Sequence, residues 1–485
     1  MMDTSLNVAR RARELAELAD GRIVDVLVVG GGVTGVGAAL DAATRGLSVA
    51  LVEAQDLAFG TSRFSSKLVH GGLRYLANGD VGLAYESAVE RGVLMGSVAP
   101  HLIRTLPQLL PLHDGLPTRN AMLAGLGLHA GDLLRRAART SAKILPPPRK
   151  VSAVEAVALV PGLRREGLRG GLLSFDGQLV DDARLVVALA RTAAGYGARI
   201  LTRMRAEELD ADGARVRDLV SGHAFRFAAR SVLNATGVWA GELVDSVRLR
   251  PSRGSHLVLD GAKLGIGATA LTVPIPGSLN RFALLLPQQD GRCYLGLTDE
   301  PLDGPIPDVP TVPESDVDFL LEVGSSALAR PLSRDDVIGR FAGLRPLVAS
   351  GSGKTADLSR RHAVVTGSNG VVTVVGGKLT TYRRMAQDAV DALVAGRGLT
   401  AGVARTRNIR LADTEKSTVD DELVRPGTTV TRGDVLRAVR DEGALTVEDV
   451  LDRRTRLGLV DADRAAALPE VTALVTRCLA EFEGC

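Results

Sequence analysis

The stretch that most constrains this chain is Asp25–Gly37, reading D-V-L-V-V-G-G-G-V-T-G-V-G. Val26–Val29 is a short apolar run with the look of a buried parallel strand, and it ends in Gly30-Gly31-Gly32. Gly30, Gly32 and Gly35 together complete G-x-G-x-x-G. Ala38–Thr44 has helical composition, Gly46 stops it, and Ser48–Val52 reads as a second buried strand with Glu53 at its end. This is the β-α-β setting of a dinucleotide fingerprint. Its glycines allow a tight turn and close approach of the backbone to a pyrophosphate at the helix N-terminus, and its acid takes a ribose hydroxyl. The expectation is an ADP-containing cofactor. A glycine-rich turn in some other α/β sheet would have no need of Glu53.

With 485 residues the chain has room for two or three domains with full cores. Apolar residues make up 45% and charged residues 24%, which excludes a disordered chain, and 3% aromatics implies an interior of Ala, Val, Leu and Gly. No apolar run approaches the ~18 residues of a membrane span. The first twenty residues alternate charge and read as an exposed, partly frayed amphipathic helix rather than a signal peptide. A net charge of +3 does not suggest nucleic acid. Cys293, Cys478 and Cys485 are scattered, without the spacing of a disulfide framework or a metal site.

Gly60–Leu76, G-T-S-R-F-S-S-K-L-V-H-G-G-L-R-Y-L, is too rich in Gly, Ser and charge for a core helix. Its small hydroxyls and glycines suit a backbone lying against a cofactor, and Ser62, Ser66, Lys67, Gly71 and Gly72 are assigned that role. An amphipathic helix is expected over Ala84–Ala99 and a strand or two over Leu102–Leu112. Gly125–Lys150 interleaves leucines with Arg135, Arg136, Arg139, Lys143, Arg149 and Lys150, a pattern shared by solvated surface helices and by segments lying on an anionic membrane. Asp181-Asp182 begins a helix to Gly195, and Ala198–Thr202 is a strand. Ser231–Leu233 runs into N-A-T-G, returning the chain to the cofactor sheet with Ala235 and Gly237 at the cofactor.

Arg253–Leu259, Phe282–Leu286 and Cys293–Leu297 read as strands of a separate antiparallel sheet, followed by a helix capped near Ser315. Arg340–Leu347 and Ala363–Val365 lead back, and Val371–Val375 is a buried strand ending in Gly376-Gly377-Lys378. A helix starts near Thr380-Thr381, and beyond Ala401 the pattern is helical and charged. Gly351–Thr355 ends like a phosphate-binding loop, but Val348 stands where that motif needs glycine, so it reads as a turn.

Glycines at a strand end just before a helix aim backbone N–H groups at an electron-rich atom, as the N1/O2 edge of a reduced flavin requires. Gly377, Lys378, Leu379 and Thr380 are placed there. Arg345, Arg360, Lys378 and Arg74 suit a dianionic phosphate, which guanidinium forks match well.

Taken together, V-V-G-G-G-V-T-G-V-G with L-V-E-A-Q-D-L-A, S-S-K-L-V-H-G-G-L-R-Y-L, V-D-D-A-R-L, G-L-R-P-L and G-G-K-L-T-T-Y-R resemble the FAD-dependent, respiratory glycerol-3-phosphate dehydrogenases. N-A-T-G-V-W, R-G-S-H and L-G-L-T-D-E follow in the same order. The resemblance implies a glutathione-reductase-like FAD-binding domain interleaved with an antiparallel-sheet substrate domain, as in amino-acid oxidases, plus a small helical C-terminal domain. The division expected is 22–90, 170–245 and 340–396 for FAD, 91–169 and 246–339 for substrate, and 401–485 for the C-terminal domain. The implied reaction oxidises sn-glycerol 3-phosphate to dihydroxyacetone phosphate, with hydride passing to FAD and a base taking the hydroxyl proton. Arg74, Tyr75, Arg345, Arg360 and Lys378 would surround the substrate, with His70, His256 and Lys378 as rivals for the proton. Electrons would pass to a membrane quinone, from a protein held peripherally on the inner face of the cytoplasmic membrane, with a homodimer left open. The alternatives are an oxidase that uses O2, a related hydroxy- or amino-acid oxidoreductase, or a flavoprotein of assembly rather than turnover.

Overall fold

The computed structural model describes residues 3–72, 75–76, 79–114, 118–276, 281–348, 361–413 and 420–483. Arg74, Arg360, Cys485 and the Gly351–Thr355 turn lie outside them.

The fingerprint strand Val26–Val29 is fully buried at the middle of a six-stranded sheet. Val49–Glu53 pairs with it in parallel on one side and Val232–Asn234 on the other, so the strand that follows the fingerprint and the distant N-A-T-G return both meet it. Arg199–Thr202 closes one edge, and Val372–Gly376 and His362–Thr366 close the other. The helix Val33–Thr44 is buried along almost its whole length because it is sandwiched between Asp182–Gly195 and Tyr382–Arg397. Gly37 permits this, since a Cβ there would sit 2.9 Å from the Tyr382 ring.

A ten-stranded, largely antiparallel sheet forms the second layer. Ser252–Asp260, Phe282–Pro287 and Arg292–Gly296 lie in it as expected. Two boundaries differ. Leu168–Leu179 pairs along its length with Ile103–His113 in this sheet, although 170–245 was assigned to the cofactor domain. Its composition disguised it: Gly171 and Gly177 are places where a Cβ would strike Leu109 at 2.5 Å and Met95 at 2.9 Å. Likewise Val337–Arg345 pairs with Ser252–Asp260 rather than leading straight back to the cofactor sheet. A three-stranded sheet over Met204–Asp210, Gly213–Asp218 and Ala224–Ala228, unforeseen in the sequence, hangs from the cofactor domain.

Smaller differences have local causes. The helix Glu314–Ser325 is preceded by Pro313, without a side-chain cap, and Ser315 lies inside its first turn. The Val81–Val93 helix continues into a wider turn over Leu94–Val98. The N-terminal helix Val8–Ala19 is not frayed: Leu18 is buried, and Glu14 accepts from Arg10 Nε and from the Ile200 amide.

The C-terminal helices Arg432–Arg440 and Asp461–Glu483 pack around Val435, Val439, Leu451 and Leu474. They are joined to the cofactor domain by a buried charge cluster. Arg454 forks onto both oxygens of Asp56 at 2.8 and 2.9 Å, and Arg453 donates to the same carboxylate. Burial works to raise the Asp56 pKa, but the two guanidinium charges outweigh it and hold it below its ordinary 3.8. Asp56→Asn leaves two arginines under-compensated in the interior and is expected to cost about 3–5 kcal/mol of unfolding free energy in denaturant titration. Because the folded pKa is depressed, this stabilisation is present above about pH 4 and is lost as pH falls through the folded value.

Candidate active site

The glycine turn after Val29 is shaped for close contact. Gly30 has φ +114°, and a Cβ on it would lie 2.5 Å from the Ala235 carbonyl oxygen. Gly35 sits behind the turn, where a Cβ would overlap the Gly30 carbonyl at 2.0 Å. Glu53 accepts from the Gly31 amide at 2.6 Å and the Gln55 amide at 2.8 Å. Burial raises its pKa while these amides oppose the rise. Gly32 has no side chain to cap the helix it begins, and Ser62 Oγ does so instead by accepting from Val33 N–H at 2.9 Å.

From this turn a single cavity of about 1830 Å³ extends past Ala235 and Gly237 to Gly377–Thr380 and the second sheet. That exceeds the ~300–1,000 Å³ of an ordinary small-ligand site and leaves room for a dinucleotide with a second molecule beside it. Gly30, Gly32, Glu53, Ser62, Ser66, Gly71, Gly72, Leu379 and Thr380 all line it. Gly376 and Gly377 are successive left-handed residues, φ +76° and +73°, at the end of their strand. Only glycine takes this backbone freely, and both residues lie bare against the cavity.

The second sheet supplies the opposite wall. His256 Nε2 is hydrogen bonded to Ser66 Oγ at 2.8 Å, and its ring stacks on Phe341 at 4.7 Å. Burial, reinforced by Arg345 and Lys67, lowers its pKa to about 3, so the ring is neutral throughout the physiological range. His70 lines the cavity half-buried, with Gly72 N–H donating to its Nδ1 at 3.2 Å. Lys378 Nζ lies 4.0 Å from the centroid of the Tyr75 ring and donates to Ser87 Oγ. Arg345 reaches the Thr298 carbonyl at 3.1 Å and pairs with Asp299 at 3.3 Å.

Thus His70, Tyr75, His256, Arg345 and Lys378 converge on one cavity. Lys67 does not. It lies outside the lining, buried with its Nζ 2.6 Å from Asp182, so its sequence assignment to the cofactor gives way to an ion pair. The sequence reading missed Arg91 and Asp176, which pair beneath Gly71, with Asp176 also accepting from the Gly71 amide at 3.2 Å. The available signal was Glu90-Arg91 falling on the same helical face as Leu83 and Ser87, where charge needs a buried partner.

The turn, the acid on the next strand and the second sheet closing over them define a dinucleotide-binding oxidoreductase. Comparison with known proteins narrows this. The family model described as FAD dependent oxidoreductase matches residues 25–383, and that of the C-terminal domain of alpha-glycerophosphate oxidase matches 375–480. Glycerol-3-phosphate dehydrogenase 1 of Mycobacterium tuberculosis is 50% identical over 95% of this chain and 96% of its own. The Mycobacterium leprae glycerol-3-phosphate dehydrogenase is 41% identical, over 76% of this chain and 63% of its own. Among solved structures, the glycerol-3-phosphate dehydrogenase from Bacillus halodurans complexed with FAD superposes with a TM-score of 0.72 at 24% identity, covering 100% of this chain and 97% of that one. The FAD-bound L-alpha-glycerophosphate oxidase from Mycoplasma pneumoniae gives 0.59 at 17% identity, covering 81% and 100%. The chain belongs to the FAD-dependent glycerol-3-phosphate dehydrogenase family, and its cofactor is FAD.

The residues present fit that group: glycines and the capped helix start for the pyrophosphate, Glu53 for a ribose, and Gly376-Gly377 for the flavin edge. Gly30→Ala places a methyl against the Ala235 carbonyl. The purified variant is expected to fold but to lack the yellow flavin band, with FAD titration of the apoprotein as the check.

Proposed function

We propose that this protein oxidises the C2 alcohol of sn-glycerol 3-phosphate to dihydroxyacetone phosphate and delivers the electrons to a membrane quinone. The observation that carries this reading is the meeting, in one cavity, of a FAD cradle with Arg345, Lys378 and His70 on the facing wall. FAD held by the Gly30–Gly35 turn, Glu53 and Gly376-Gly377 would supply the acceptor for the C2 hydride. Arg345 and Lys378 supply the fixed positive charge that a dianionic phosphate requires, with the Arg345 fork held in place by Asp299 and the Thr298 carbonyl. Tyr75 lies against Lys378 and shapes the pocket around it.

His70 is the better of the two imidazoles for the hydroxyl proton. A base with a pKa of about 3, as His256 has, holds a proton poorly at neutral pH, and its Nε2 is already engaged by Ser66. His70 lies on the cavity wall with one ring edge fixed by the Gly72 amide. His256 is then a neutral, stacked support for Ser66.

The quinone reading draws on the helix Thr118–Ala137. Met122, Leu123, Leu126, Leu133 and Arg136 are exposed on it, as are Val81 and Tyr85 on the helix in contact with it. Leu123 and Leu126 also line the cavity, so this apolar face and the flavin site share one cavity. No described helix is long and apolar enough to cross a membrane, and this face suits peripheral docking on an anionic surface at the inner side of the cytoplasmic membrane. The C-terminal match to the alpha-glycerophosphate oxidase domain supports a second reading, in which O2 is the acceptor.

Anaerobic addition of glycerol 3-phosphate is expected to bleach the oxidised flavin band, with glycerol and lactate inert; a flavin that stays oxidised contradicts the reading. Reoxidation by a quinone analogue faster than by air, without stoichiometric peroxide, separates the two acceptors. His70→Gln is expected to keep FAD and lower kcat by about 10²–10⁴, the usual worth of a positioned acid–base group. Lys378→Met is expected to raise KM more than it lowers kcat.

A further inference from the structure

Two non-glycine residues with left-handed backbone, Lys67 (φ +58°) and Arg456 (φ +62°), meet at the boundary between the active site and the C-terminal domain. Such strain persists where the surroundings over-determine it. Lys67 Nζ pairs with Asp182 at 2.6 Å and with Asp181 at 3.3 Å. Arg456 Nε also pairs with Asp181 at 3.3 Å, and its Nη2 donates to the Arg63 carbonyl at 2.7 Å. Two carboxylates and two cations therefore meet in a largely buried cluster, with the Arg63–Asp452 pair beside it. Asp182 in turn accepts from the Ser65 amide at 2.9 Å and its hydroxyl at 2.8 Å, while the Lys67 amide donates to Ser65 Oγ. Burial works to raise the Asp182 carboxyl, and Lys67 and Arg456 together overcome it. The next residue, Ser66, holds His256 on the cavity wall.

From this geometry we infer that Arg456 is a positioning residue for the active site: the C-terminal domain fixes the Arg63–Lys67 turn, and through it the Ser66–His256 pair, by completing the charge of the Asp181–Asp182–Lys67 cluster. The fork of Arg456 spans both ends of the turn, its carbonyl at Arg63 and its charge cluster at Lys67. Removing the guanidinium leaves the buried Asp182 and the part-buried Asp181 to share one ammonium, a net charge that the turn must relax to accommodate. The consequence for turnover rests on the reaction proposed above; the consequence for the turn does not.

The test uses the FAD-loaded full chain and the variants Arg456→Met, Arg456→Lys and Arg456→Met with Asp181→Asn. Asparagine can still cap the helix that Asp181 precedes, so the double variant restores neutrality alone. Hydrogen exchange read by mass spectrometry is expected to speed up by about tenfold or more across residues 61–69 in Arg456→Met, and to return to within about threefold of the parent in the double variant, as expected for coupled neighbours. Flavin reduction by glycerol 3-phosphate is expected to slow by about tenfold in Arg456→Met and to recover with the exchange rates. Exchange that rises uniformly over the C-terminal domain while the 61–69 segment stays protected overturns the inference, as does a double variant no better than the single. If Arg456→Met fails to fold, Arg456→Lys, which keeps the charge but loses the fork, carries the same comparison. A 61–69 segment that exchanges about tenfold or more faster in the lysine variant than in the parent, although the charge is kept, then overturns it. A parent protein that does not reduce its flavin with this substrate contradicts the proposed reaction while leaving the exchange result to decide this inference.

Discussion

The site depends on how closely one turn of backbone lies against its neighbour. Gly30 packs so near the Ala235 carbonyl that a single methyl would displace it, and Gly35 packs as tightly against Gly30 from behind. This contact draws Val232–Asn234 to one side of the fingerprint strand and brings the helix start, Glu53 and the 235–237 segment around one space. The excursions of the chain into the second sheet begin and end at this sheet, so the facing wall inherits its position from the same turn. Gly376-Gly377 closes the space from the far edge of the sheet.

Charge organises what the glycines leave open. The interior holds separate ion clusters: Arg383 with Glu90, Arg91 with Asp176, Lys67 and Arg456 with Asp181 and Asp182, and Asp56 with Arg453 and Arg454. Each ties two segments distant in sequence. Burying such groups costs solvation that only well-placed partners offset, so their contribution is to orientation more than to net stability. The Arg91–Asp176 pair shows what is gained, since it supports the Gly71 amide and so the loop that carries His70.

What could be read from the sequence was local. The fingerprint, the A-T-G return and the G-G-K-L-T-T-Y-R segment each carry their geometry in a few adjacent residues, and all three line the cavity. Lys67 misled because its partner, Asp182, is 115 residues away, and a lysine beside two serines in a cofactor-like loop gives no local sign of an ion pair. Leu168–Leu179 hid as a strand because its glycines serve close packing in the sheet interior, the reverse of their usual meaning. Arg91 declared itself as a charge on the buried face of its helix, but its partner Asp176, 85 residues away, did not.

In the proposed reaction a C–H bond at C2 of glycerol 3-phosphate breaks beside the flavin while His70 takes the hydroxyl proton. The most direct measurement is the anaerobic single-turnover rate of flavin reduction with substrate deuterated at C2, compared with unlabelled substrate. A clear slowing by deuterium, present in the wild type and retained in His70→Gln, is the result expected for hydride transfer from that carbon. Equal rates with the two substrates, in a protein that reduces its flavin and with chemistry shown to be rate-limiting, would contradict it.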